Sequence, residues 1–322
     1  MNTGIRLEPR LAAILGALVA DSASLGLHWL YDPERIAQIE QSKGLVFLQP
    51  DAQDYAGVSG YFAHGRKQSG DLSGYGELCQ LMLRHFAQHG QFDRIAYQTE
   101  YRNYFGPGGG YRGYVDSPTR QTLQTLLPLK PEEFPEHSGA DDDQFAALAT
   151  VPVVVATHTG SQDALKSKIE QIVRLTNHND TAVAAAQYAG LVLHDVLNGN
   201  PIAGALTHSL PHAGEKLQPL VKEALQTSTL DCTAIGKRFG TACHVMEGMP
   251  VIAHIARHVP GYRAAIEENI RIGGDSCGRS IMLGAIMAAH TSQQSDLTSI
   301  PLEWLARLRN LPEVAQTVAK LL

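Results

Sequence analysis

The run Gly273-Gly274-Asp275-Ser276-Cys277-Gly278-Arg279 places an acid, a hydroxyl, a thiol and a guanidinium at the mouth of residues 279–291, a segment apolar on nearly every face. Burying an unpaired charge is costly, so such groups are either paired or in use. Two chemistries are open to them. Asp275 can serve as a general base or steady a developing cation. Cys277, at a helix N-terminus that lowers a thiol's pKa, can serve as a nucleophile, although a buried, inert thiol explains it as well. The sequence predicts that Asp275 is buried and held by hydrogen bonds, with Arg279 one turn on as its leading side-chain partner.

Five other polar clusters stand beside this one. Asp21 interrupts an apolar helix and is followed by His28 and Trp29; such a carboxylate either caps a neighbour or faces a cleft. In "SGDLSGYGEL", residues 69–78, glycine-rich chain runs through Tyr75 into a helix with Glu77 in its first turn. That junction suits an anion or polar ligand, or simply Ser73 as a cap with Glu77 on the helix dipole. Residues 104–120 combine Gly108, Gly109 and Gly110 with Tyr104, Phe105, Tyr111 and Tyr114, either a surface loop or rings that stack on a nucleobase or sugar. Asp141, Asp142 and Asp143 precede an apolar run, where helix capping is the ordinary role and a cleft-facing acid, Asp142, the functional one. His178 and Asp180 precede an alanine-rich helix, with capping by Asn179 or Asp180 as the alternative. Together these put polar groups at the starts of several small-residue helices, which is how an all-α domain builds a cleft.

The elements that must position these groups are helical almost throughout. Helices are predicted over 9–27, 77–89, 162–174, 180–197, 215–226, 233–237, 241–258, 260–271, 279–291 and 302–321, with Leu78, Leu81, Met82 and Phe86 forming one apolar stripe. Residues 145–157 read as strand or helix. Long glycine-rich loops are expected at 40–76 and 103–120, and long loops in compact domains are often functional. No repeat or linker divides the chain, so residues 1–322 are expected to form one all-α domain with less than about a tenth of strand, against base rates that favour mixed folds.

Composition excludes some partners. The net charge of −6, with no basic stripe, argues against nucleic acid. Four cysteines without a C-x-x-C pair are no disulfide framework, which suggests reduced thiols and a cytoplasmic protein. Residues 11–27 could pass for a signal peptide, but Asp21 and Glu8 count against that. No apolar segment is expected to be long enough to span a membrane. The oligomeric state is not legible.

"AILGALVADSASLG", "LTNHNDTAVAAAQYAGLVL" and "NIRIGGDSCGRSIMLGAIMAAH" resemble, in order and spacing, the ADP-ribosylglycohydrolase family over residues 9–291. The resemblance implies a compact bundle of orthogonal helices and a two-magnesium cleft that cleaves the bond joining ADP-ribose to a side chain. The family's T-D-D-T run corresponds here to Ser73, Gly74, Tyr75 and Gly76, and its G-G-D-T-D-T run to Gly273, Gly274, Asp275, Ser276, Cys277 and Gly278. Only Asp275 remains of the carboxylate ligands. Magnesium wants hard oxygen donors in octahedral array, and a thiol is a soft replacement. The binuclear magnesium centre is therefore expected to be lost, with a single magnesium left open. "ADSASLGLHWLYD", "YGE", "DDDQ" and "GGDSCGR" resemble the branch with J1 crystallins and selenoprotein J, some of whose members are structural lens proteins.

Two functions follow from the resemblance. One is a hydrolase of the N- or O-glycosidic bond of ADP-ribose or a related nucleotide-sugar, working without that metal pair. Glu77, Asp275 and Asp21, in that order, are its candidate carboxylates. Tyr75, Gly108, Gly109, Tyr111, Asp142, His178, Asp180, Ser276, Cys277 and Arg279 are its candidate ligand-binding residues, with Arg279 pairing to a diphosphate. The other is a non-catalytic ligand-binding or crystallin-like structural protein.

Overall fold

The structure, a computed structural model, describes residues 7–228, 231–297 and 299–321. Among these residues it holds sixteen α-helices and no sheet, only isolated bridges. The helices are α1 (Pro9–Ser24), α2 (Pro33–Lys43), α3 (Gly74–His89), α4 (Arg94–Phe105), α5 (Ser117–Leu126), α6 (Val151–Ala156), α7 (Gln162–Val173) and α8 (Asp180–Leu197). They continue as α9 (Ile202–His208), α10 (Gly214–Gln226), α11 (Cys232–Phe239), α12 (Val245–His258), α13 (Tyr262–Ile272), α14 (Ser276–Ser292), α15 (Leu302–Leu305) and α16 (Leu311–Val318). The all-α expectation holds.

The core is built on α1 and α14, which pack along their lengths. Every residue of α14 except His290 is buried, as is α1 from Ala12 to Ser24. Small residues make this approach possible. A Cβ added to Gly284 would lie 2.4 Å from the Gly16 carbonyl oxygen, and one added to Gly16 would lie 2.3 Å from Ala288 Cβ. Ser24 and Ser280 bridge the pair at 2.7 Å, and Tyr262 donates its hydroxyl to the Gly16 carbonyl at 2.7 Å. Gly284→Ala is expected to cost about 1–3 kcal/mol, the usual range for overpacking, because backbone cannot yield as a side chain would. A denaturant midpoint unchanged from wild type would contradict this close contact.

Several expectations need correction. By length and composition, residues 9–27 form a stretch apolar enough to cross a membrane, but nearly all of it is buried inside the fold, as suits a core helix. Helices α2, α4, α5 and α9 were not foreseen. Three of these carry side-chain caps, Asp32 on Arg35 N–H, Asp93 on Ala96 N–H and Asp116 on Thr119 N–H. Aromatic and polar residues on α4 blur its apolar stripe. The stretch 145–157 is a 3-10 turn, Phe145–Leu148, followed by α6. Residues 302–321 break into α15 and α16.

Candidate functional site

Asp275 reaches the site through a turn that only glycine fits. Gly273 and Gly274 have φ of 79° and 67°, and a Cβ on Gly274 would lie 2.1 Å from the Thr241 carbonyl oxygen. Arg279 holds this turn from inside. Its Nε donates to Asn269 Oδ1 at 2.7 Å, and Nη2 donates to the carbonyls of Gly273 at 2.5 Å and Asn269 at 3.2 Å. Asp275 caps α14, its Oδ1 accepting from Gly278 N–H at 2.8 Å. The same oxygen takes His28 Nε2 at 2.8 Å, and Oδ2 takes the Tyr75 hydroxyl at 2.9 Å.

Asp275 is fully buried, as the sequence implied, but its carboxylate is not hydrogen-bonded by the Arg279 side chain, and only the Arg279 backbone N–H reaches the Asp275 carbonyl, at 3.2 Å. The cap position explains this correction. The carboxylate folds back over the first turn, while Arg279 projects toward α13. Burial works to raise the Asp275 pKa, yet the His28 hydrogen bond and charge, the Gly278 N–H and the Arg279 charge outweigh it and hold the group below the ordinary carboxylate range. For Arg279, burial dominates and lowers the pKa to about 10.

The hydrogen-bond chain continues from His28 Nδ1 to His64 Nε2 at 2.7 Å. On the other side of Tyr75, Asp21 Oδ2 accepts from Ser73 N–H at 2.8 Å, and its Oδ1 meets Ser73 Oγ at 2.5 Å. Burial pushes the Asp21 pKa up to about 7. Cys277 points its thiol at the Asp21 carbonyl, and burial raises its pKa well above the usual value, so it is a poor nucleophile. Glu77 is bound on both oxygens, by Lys67 Nζ at 2.7 Å and by the Tyr104 hydroxyl at 2.6 Å.

A half-exposed rim lies above this buried knot. Trp29 meets Tyr114 edge-on at 5.1 Å and Tyr61 at 5.9 Å, and Tyr61 is 54% exposed. Asp116 caps α5, and burial, helped by the charges of Asp142 and Asp275, raises its pKa. Asp142 is raised too, by burial first and then by Asp143. Burial, with the charges of Asp275, Asp142 and Asp116, pushes the Cys243 pKa up to about 12. Asp116 was missed from sequence. Its signal was Asp116-Ser117-Pro118, a helix start inside the glycine-rich loop.

The remaining predicted residues scatter. Gly108 lies at an exposed loop tip with φ of 79°, and the carbonyl of its neighbour Gly109 accepts from Arg112. Tyr111 is buried under Lys67 and donates to the Tyr114 carbonyl. Ser276 is buried with its hydroxyl unpartnered among the described residues. His178 is exposed and stacks on His137, and Asp180, 93% exposed by side chain, pairs with Arg174. A separate cluster, His85, His89 and Glu100, has metal-ligand composition. There His85 Nε2 accepts from Asp93 N–H at 3.0 Å, so the ring proton sits on Nδ1 and points at Glu100, 2.8 Å away. That cluster is closed by a proton where a metal would need a lone pair.

Comparison with known proteins agrees with this architecture. The chain is 28% identical over 320 residues to crystallin J1A of Tripedalia cystophora, spanning 96% of this chain and 95% of that one. Crystallin J1B of the same animal is 26% identical, spanning 97% and 95%. A solved structure described as an ADP-ribosylglycohydrolase-related protein complex superposes with a TM-score of 0.72 at 18% identity, over 98% of this chain and 97% of that one, and so shares the fold. The family profile described as ADP-ribosylglycohydrolase matches residues 5–322, and the chain therefore belongs to the ADP-ribosylglycohydrolase family.

Proposed function

We propose that this chain binds a small nucleotide-sugar of the ADP-ribose type and cleaves its N- or O-glycosidic bond without the binuclear magnesium centre. The observation that carries this reading is the division of acids between floor and rim. On the floor, the residues present do not fit the metal pair. Both Asp275 oxygens are already taken by Gly278 N–H, His28 and Tyr75. A Cβ at position 278 would lie 2.7 Å from each of those oxygens, so the carboxylate occupies room that a side chain there would claim. On the rim, Asp116 and Asp142 are partly exposed carboxyls, each with a pKa raised above all by burial.

Two such carboxyls are what glycosidic cleavage needs. One, protonated, gives its proton to the leaving group. The other, ionised, guides water or steadies the oxocarbenium-like transition state. Asp116 is assigned the acid role, because both burial and the charge of Asp142 favour its protonated form, and Asp142 is the base. ADP-ribose at a hundred times its Kd should stabilise the protein by about 2.7 kcal/mol, with magnesium or with a chelator alike. Release of ADP-ribose from N- and O-linked conjugates should survive chelation and be abolished in Asp116→Asn.

A crystallin-like structural protein is the second reading, favoured by the names of the two jellyfish relatives and by the sealed Asp275. It expects neither the thermal shift nor any release.

A further inference from the structure

We infer that the cavity at the N-terminal end of α1 is a second ligand site, one that takes an amphipathic carboxylate, with the apolar chain held between α1 and α16 and the acid head on Arg10. This inference is independent of the nucleotide-sugar reading, because the two sites share no residue.

The cavity measures about 790 Å³, within the ~300–1,000 Å³ of pockets that bury a small molecule. Leu11 and Leu15, one helical turn apart, form its α1 wall, and Val318, Ala319 and Leu321 form the wall from α16 and just beyond it. Gly90, the left-handed cap of α3, also lines it. These walls are not covered by the fold. Ala319 is exposed, and Leu11 and Leu321 are half-buried. Apolar surface left wet around a cavity of this size gains by taking up an apolar chain. The place is remote from the acids. Asp21 lies ten residues further along α1 than Leu11, about 15 Å at 1.5 Å per residue. Glu77 lies 13 residues before Gly90 along α3, about 20 Å by the same rise. The two helices thus carry one site toward each end.

Arg10 selects the head group. It lines the cavity and is half-buried, and no carboxylate pairs with it among the described residues. Its Nη1 donates to the Ala156 carbonyl at 3.2 Å, while Nε and Nη2 have no partner among those residues. The other charged residue on the wall, Glu8, is turned to a different task. Its Oε2 accepts from Leu11 N–H at 2.9 Å and caps α1. Thr157, also on the wall, donates its hydroxyl back to the Val153 carbonyl at 2.9 Å. A half-buried guanidinium without a counter-ion is best completed by a carboxylate, whose two oxygens match the parallel N–H bonds that the guanidinium fork can give. The walls supply the apolar half of the ligand and Arg10 the charged half.

Decanoate, titrated calorimetrically into the full chain below its micelle concentration, should bind one per chain. It should bind about tenfold more tightly than octanoate, as two further buried methylenes require. Arg10→Met keeps an apolar stem and removes the fork. It should weaken decanoate about tenfold or more, the range for a hydrogen bond to a charged group, and leave decanol binding unchanged. Ala319→Trp, at an exposed position on the wall, fills the cavity with a ring. It should abolish binding of both while the ligand-free variant stays folded by circular dichroism and treats ADP-ribose as wild type does. No decanoate binding to wild type, binding that survives Ala319→Trp, or equal decanoate affinity in wild type and Arg10→Met overturns the inference. Decanoate binding that appears only after residues 1–6 are deleted overturns it as well, since the chain's own terminus is then the occupant. None of these outcomes bears on the nucleotide-sugar reading, which stands or falls on ADP-ribose.

Discussion

Asp21→Asn is expected to make the protein more stable than wild type above pH 7, by up to about 4 kcal/mol. Asp21 lies within α1, fully buried, and among the described residues its two carboxylate oxygens hydrogen-bond only with Ser73. Burial raises its pKa from 3.8 to about 7. Between those values the folded protein holds a proton that the unfolded chain has released. The stability this contributes is complete below about pH 4 and falls away as pH rises toward 7. Asparagine mimics the protonated acid: its carbonyl accepts from Ser73 N–H and its amide donates to Ser73 Oγ. Wild type and variant should therefore match near pH 4 and diverge upward. At about 2–4 °C per kcal/mol, the melting temperatures should separate by about 8 °C or more at pH 8. Parallel curves across this range would mean that Asp21 ionises freely in the fold. The same carboxyl heads toward a structural role, because a group protonated until pH 7 and enclosed by Ser73 has no free oxygen to offer a ligand.

What was legible in the sequence follows from range. Helices α8 and α14 declare themselves because long runs of small apolar residues leave no polar face to mislead. Burial of Asp275 was legible for the same reason, since the helix behind it had to be interior. Its partners were not. His28 lies 247 positions away and Tyr75 lies 200 away, and no local pattern encodes pairings at such separation. Arg279 looked like the natural partner because helix spacing brings i and i+4 together. That rule fails for a residue that caps the helix rather than joining it. His64 left no trace at all. It stands in an irregular glycine-rich segment, without periodicity, and acquires meaning only when its loop folds against His28. Asp116 was quoted within its loop but not singled out, since the helix it caps went unrecognised.

Asp275→Ala should be the most damaging single change at the site, costing about 3–5 kcal/mol. The substitution strands four groups at once. Gly278 N–H loses its cap, His28 Nε2–H and the Tyr75 hydroxyl lose their acceptor, and the buried Arg279 loses the largest charge that supports it. Asp275→Asn divides these effects. Its carbonyl can still accept from Gly278 and His28, and its amide can donate to Tyr75, but the negative charge is gone. A loss in Asp275→Asn close to that in Asp275→Ala would mean that charge, above all beside Arg279, dominates. A much smaller loss would mean that hydrogen bonding does. In wild type, the lowered pKa of Asp275 adds stability above the unfolded carboxylate pKa, and that contribution is lost as pH falls through the folded value. Acid unfolding should therefore be shallower in Asp275→Asn than in wild type. An Asp275→Ala protein as stable as wild type would show that the cap and both side-chain bonds contribute nothing net. The ligand arm is separate. If Asp275 serves the ligand site, the variants should bind ADP-ribose more weakly even at temperatures where they are fully folded, a loss that a purely structural role does not require.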